Sequence, residues 1–150
     1  MGTHAQIRLR RRLGALTVVV VLLALSGCGA DRPGAEADGG TVGVAERDFA
    51  ISAPKQVSSG DIVLQVHNRG PDQHELIVAR VTPSGLPFRA DGLTIDEEAL
   101  ARHEAGALEP GQPGSVRDLP LHLTPGRYVL FCNMSGHYLG GMHSDLVVRQ

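Results

Sequence analysis

Residues 128–148 read YVLFCNMSGHYLGGMHSDLVV. Tyr128 to Phe131 is a short apolar run that reads as a strand leading into Cys132, and Leu146, Val147 and Val148 form a last strand. Between the strands, thirteen residues (131–143) hold Cys132, Met134, His137, Met142 and His143, together with Ser135, Gly136, Gly140 and Gly141. The whole chain of 150 residues has only two cysteines and three methionines, one of them the initiator. A sulfur-poor chain thus gathers a thiol, two thioethers and two imidazoles into one glycine-rich loop between strands.

Further upstream the pattern is also one of short strands between turns. Leu119, Leu121 and Leu123 alternate with polar or proline positions before the turn Thr124-Pro125-Gly126-Arg127. Ile62, Leu64 and Val66 alternate with Val63, Gln65 and His67 after the turn Ser59-Gly60-Asp61, which marks a half-buried strand. Asn68-Arg69-Gly70-Pro71-Asp72 is a strong turn, and Glu75 to Val81 is the next strand. The stretch from Thr41 to Ile51 begins with β-branched residues alternating with small ones. One segment differs. Thr94 with Glu97 three residues on is a capping-box pattern, with Arg102 and His103 in the last turn and Gly106 beyond; it predicts a short helix of about three turns. A long Gly- and Pro-rich connection carries this helix. Five aromatic residues and no Trp leave the core to Val, Leu and Ile. The expected fold class is all-β, a β-sandwich with one short helix on a long connection.

A thiolate and an imidazole in one site suit zinc or copper, and a thioether shifts the balance towards copper. A blue-copper centre takes two His and one Cys in a plane with a distant Met on the axis. The loop offers Cys132, His137 and Met142, so the second imidazole comes from elsewhere; His74, just after the Asn68–Asp72 turn and at the start of a strand, is the candidate. His143 is the rival ligand, but on a strand it points away from the side that Met142 faces. Met134, Tyr138 and Leu139 are candidates for an apolar patch beside the metal and equally for core. The acidic run Asp96-Glu97-Glu98 is explained by helix capping. His67 and His122 fall on outward positions of their strands.

The Cys-x4-His-x4-Met spacing of Cys132, His137 and Met142 resembles that of the cupredoxins, the small blue copper proteins, and most of all their rusticyanin and sulfocyanin branch. Asn68-x-Gly70-x3-His74-Glu75 and Tyr128-x2-Phe131-Cys132 resemble plastocyanin- and sulfocyanin-like domains as well. The resemblance covers roughly residues 41–150. It implies a Greek-key β-sandwich, one type I copper ion held by His74, Cys132, His137 and Met142, and transfer of single electrons between redox protein partners. Two positions depart from the family pattern. Ser135 stands where Pro is common, and Glu75 stands where plastocyanins and azurins usually carry an Asn that ties the two ligand loops.

The first third of the chain reads as an export signal. Arg8, Arg10, Arg11 and Arg12 precede the uncharged run Leu13–Leu25, which is too short to cross a bilayer as a helix of roughly 20 residues. Leu25-Ser26-Gly27-Cys28 resembles the lipobox of bacterial lipoproteins, which implies removal of residues 1–27 and lipid on Cys28. Residues 28–40 follow without a large apolar side chain and read as a tether, about 40 Å long when fully stretched. The domain is then 41–150. Without the four arginines, 10 basic residues face 16 acidic ones, a net of −6 with His neutral. That balance argues against a nucleic-acid partner and against a polybasic membrane contact. The expectation is a monomer outside the cytoplasm, on the membrane through Cys28.

Competing functions are a copper buffer or chaperone of the cell envelope and a copper enzyme. Chaperones display several exposed Met or His, and this chain has few Met. Multicopper enzymes add paired His motifs, and no His-x-His occurs. A binuclear copper site needs a second Cys four residues after Cys132, where Gly136 stands. The residues favour an electron carrier over a catalyst.

Overall fold

The computed structural model describes residues 40–150. The expected signal over 1–27, the lipid site Cys28 and the tether up to residue 39 lie outside the described residues. Nine strands and one helical turn make up the domain: β1 (Thr41–Arg47), β2 (Ala50–Ser52), β3 (Gln56–Ser58), β4 (Gly60–Asn68), β5 (His74–Arg80), α1 (Glu97–Leu100), β6 (Glu104–Gly111), β7 (Val116–Leu123), β8 (Gly126–Phe131) and β9 (His143–Arg149). One sheet has the order β2-β1-β4-β7 and the other β3-β9-β8-β5-β6. The β1–β4 and β3–β9 pairs are parallel; all other pairs are antiparallel.

The alternation along β1, β4 and β7 sets the sandwich. Val42 and Val44, Ile62, Leu64 and Val66, and Leu119, Leu121 and Leu123 point inwards, against Leu76, Val78, Tyr128, Leu130, Leu146 and Val148 of the second sheet. Each such aliphatic side chain contributes about 1.5–3 kcal/mol by leaving water. The second sheet is covered on its other face too. Ile77, Ala79, Val129 and Phe131 pack under Ile95 and Leu100 of the long connection. A sheet buried on both faces needs unbroken apolar strands, which is why β5 and β8 read as runs (LIVA, YVLF) rather than as alternations.

The helix is shorter than expected. α1 is a single turn, and its N-cap is Asp96, whose carboxylate accepts the Ala99 N–H at 3.2 Å. Thr94 is not the cap; its hydroxyl donates to the Asp91 carboxylate at 3.1 Å. The chain turns through Arg102 and His103 into β6, which takes Gly106 into a strand instead of a helix stop. β6 is an edge strand with a register shift opposite His74 and Leu76, a place that tolerates Pro110. No helix among the described residues is long and apolar enough to cross a membrane.

Candidate metal centre

The end of β8, the start of β5 and the loop before β9 meet at one end of the sandwich. Cys132 follows β8 directly and is a free, fully buried thiol. From it the chain folds back on itself. The His137 N–H donates to the Met134 carbonyl at 2.9 Å, the Met142 N–H to the His137 carbonyl at 3.0 Å, and the Cys132 N–H to the Met142 carbonyl at 3.1 Å. The main chains of the three loop residues are thereby cross-linked. The fold-back needs left-handed backbone at Gly136 (φ 79°) and Gly141 (φ 105°), which glycine adopts without a Cβ clash.

The donor atoms of His74, Cys132 and His137 all lie within 4.8 Å of one another. Cys132 Sγ is 3.4 Å from His137 Nδ1, and the two imidazole centroids are 5.3 Å apart. His74 is fully buried. Its Nε2 lies 3.0 Å from Asp48 Oδ1, while its Nδ1 is buried with no hydrogen-bond partner among the described residues. A carboxylate only accepts, so Nε2 is the donor and Nδ1 carries a bare lone pair. Left unsatisfied, such a buried nitrogen costs about 1–3 kcal/mol; a metal ion among these donors would satisfy it. Burial lowers the pKa of His74, which keeps the ring neutral and ready to ligate. Burial raises the pKa of the Cys132 thiol, and the backbone N–H groups of Met134 and Glu75 oppose that rise. A bound metal would displace the thiol proton, and those two N–H groups would then act on a thiolate.

The expected positions fall as follows. His74, Cys132 and His137 come together. Met142 is fully buried immediately before β9, beside Cys132 in the same core cluster. His143 is exposed, opens β9 and stacks on Tyr138 at 4.8 Å, outside the donor group. Tyr138 packs at right angles on Phe131 and against Phe88, and Met134 packs on the main core; both serve packing. Leu139 alone of the three patch candidates is exposed, at 56%.

The supporting contacts are less legible in the sequence. Asn68 is buried and holds its turn together: its amide donates to the Asp72 and Gly111 carbonyls, at 2.7 and 3.0 Å, and its oxygen accepts the Gly70 N–H at 3.0 Å. A methyl on Gly70 would sit 2.7 Å from Asp48 Oδ1 and 3.0 Å from His74 Nε2, so glycine leaves the room this pair needs. Glu75 is raised in pKa by burial, and the backbone N–H of Asn133, the residue after Cys132, opposes that rise. The Asn133 side chain in turn accepts the Ile95 N–H at 2.6 Å and donates to the Ile95 carbonyl and the Glu97 carboxylate. Ser135 is exposed, and the backbone N–H groups that oppose the rise in the Cys132 pKa belong to Met134 and Glu75.

No protein-family model matches the chain, and no curated protein sequence does. Solved structures do match. Dithionite-reduced auracyanin from Roseiflexus castenholzii superposes with a TM-score of 0.56 at 22% identity, over 73% of this chain and 97% of that one. Auracyanin A from Chloroflexus aurantiacus, described as a "blue" copper protein, gives 0.54 at 16% identity over 74% and 100% of the two chains. An azurin from Methylomonas sp. strain J gives 0.53 at 15% over 73% and 98%. At these identities the likeness speaks for the fold. The chain thus shares the β-sandwich fold of these proteins, and with two imidazoles, a thiol and a buried thioether at one end of it, its His74, Cys132, His137 and Met142 fit one type I copper ion.

Proposed function

We propose that the protein is an extracytoplasmic blue copper protein that passes single electrons between redox partners, held at the membrane by lipid on Cys28. The observation that carries this reading is the convergence of three donor atoms within 4.8 Å, one of them the otherwise unpartnered His74 Nδ1. Bound copper would supply a one-electron couple, Cu(II)/Cu(I). The residues do the rest. Cys132, His74 and Met142 are closed off from solvent, and each is anchored at a strand end or by main-chain hydrogen bonds. Donors held in this way keep their places in both oxidation states, which reduces the rearrangement that accompanies electron transfer. His137 is the least buried of the four, and the exposed side chains of Phe49 (52%) and Leu139 (56%) lie near it in the fold and in the chain. An electron would enter or leave through this imidazole edge. Supporting the carrier reading over storage, the site is one enclosed set of four side chains rather than a row of exposed thioethers.

Voltammetry of the copper-loaded protein tests the reading. A carrier shows a reversible one-electron wave and keeps its copper through many cycles. Loss of copper to a chelator upon each reduction would instead identify a buffer.

A further inference from the structure

The two-residue turn between β1 and β2 is Asp48-Phe49, and its two side chains touch the two imidazoles of the copper site. The Asp48 carboxylate meets His74 Nε2 at 3.0 Å. The Phe49 ring lies edge-on to His137, with centroids 5.4 Å apart. Phe49 has φ 58°, the left-handed region that a bulky residue rarely enters. Its ring is seated against Gly140, where a methyl would overlap it, and its carbonyl lies beside Gly141. The turn is therefore fitted onto the ligand loop. Fitting it there brings the carboxylate to His74.

Resting on the copper reading above, we propose that Asp48 is a positioning residue that fixes His74 with Nδ1 towards the metal and lowers the reduction potential of the site. Two effects act in the same direction. A carboxylate accepting the Nε2 proton makes the other nitrogen a stronger donor, and a stronger donor favours Cu(II) over Cu(I). A negative charge one imidazole away from the metal also favours the higher charge. The bland alternative, an ion pair that merely pins the hairpin, predicts a change in stability with no change in potential. Carboxylate–histidine pairs of this kind serve metal sites generally, and His74 is the side chain that the Asp48 carboxylate meets. The ion pair of Asp61 with the exposed His122, at 2.7 Å on β4 and β7, shows what the same pairing looks like away from the site.

Redox titration of the full copper-loaded protein decides the matter, with Asp48→Asn, Asp48→Ala, Asp48→Glu and the remote control Asp61→Asn. Asparagine can still accept from Nε2 but has no charge; alanine loses both features. The expected result for Asp48→Asn is at least a tenfold weakening of Cu(II) relative to Cu(I) binding, which is a rise of about 59 mV for one electron. Asp48→Ala should move the potential further in the same direction, weaken total copper affinity about 10–100-fold and broaden the electron-spin spectrum as the ring loses its orientation. Asp48→Glu should return part of the shift. Potentials of Asp48→Asn and Asp48→Ala equal to that of Asp61→Asn would overturn the proposal while leaving the copper reading intact. A wild-type protein that gives no blue copper complex would overturn both.

Discussion

The backbone N–H of Asn133 acts on the Glu75 carboxylate and opposes the rise in pKa that burial imposes, so the residue after His74 is coupled to the residue after Cys132. The coupling joins the two segments that carry the ligands, and the Asn133 side chain extends it to Ile95 and Glu97 on the long connection. Burial and the nearby Glu97 raise the pKa of Glu75. Glu75→Ala removes the carboxylate on which the Asn133 N–H acts and should cost about 1–3 kcal/mol, with faster loss of copper to a chelator. Glu75→Gln keeps an acceptor without the charge and should cost less. Urea denaturation and chelator exchange measure both, and an alanine variant as stable as the glutamine variant would contradict the coupling.

Met142 and His143 separate cleanly by burial: Met142 is fully enclosed, whereas His143 is exposed and stacked on Tyr138. Met142→Leu keeps the volume and should cost little stability. It removes a weak donor to Cu(II), so the potential should rise by an amount on the order of 59 mV, a tenfold change in equilibrium. His143→Leu should leave it nearly unchanged. The reverse ordering in a redox titration would show that the wrong axial residue has been assigned.

Glu46 on β1 is fully buried, with Arg117 Nη2 donating to its Oε2 at 2.6 Å. Burial raises its pKa from 4.5 to about 7 even against the attraction of Arg117. The unfolded chain releases this proton near 4.5 and the folded one near 7, so between those values the folded protein holds more protons. Its contribution to stability is therefore present at the acid end and lost as pH rises through about 7, with a slope of up to about 1.4 kcal/mol per pH unit. Glu46→Gln should remove that slope. Denaturation of the metal-free proteins at several pH values checks it: a difference between wild type and variant that stays constant from about pH 5 to 7 contradicts the assignment.

With lipid on Cys28 as proposed, Cys28→Ser should move the protein from the membrane to the soluble fraction with its copper site intact, because the proposed anchor and the site use different cysteines. Cell fractionation measures this, and a substituted protein that stays in the membrane would exclude lipid on Cys28 as the anchor.

How far the sequence reaches depends on whether a feature is local. β4, β7, β8 and β9 are legible because one buried face or two leave a period-2 pattern or an apolar run. β3 is a three-residue edge strand, and β6 contains Gly106, Pro110 and Gly111, residues that read as connection and are tolerated at a sheet edge. Thr94 looks like a helix cap, but Asp91 captures its hydroxyl and the backbone bridge of Ile95 to Phe88 holds the segment extended. The ligands Cys132, His137 and Met142 share one loop, and His74 has a turn before it, so their spacing carries the signal. Asp48 reaches His74 from 26 residues away. Asp-Phe is not a sequence signature for a tight turn, and Phe49 occupies a conformation where Gly or Asn is usual. No local rule could mark that dipeptide as part of the site.

The most direct test of the central claim is the optical and electron-spin spectrum of the protein given one equivalent of Cu(II). A site of Cys132 thiolate, His74 and His137 with distant Met142 should turn intensely blue from thiolate-to-copper charge transfer and show the narrow copper hyperfine splitting of a type I centre, and Cys132→Ser should abolish the colour. A colourless copper complex, or a protein that takes zinc and refuses copper, would contradict it.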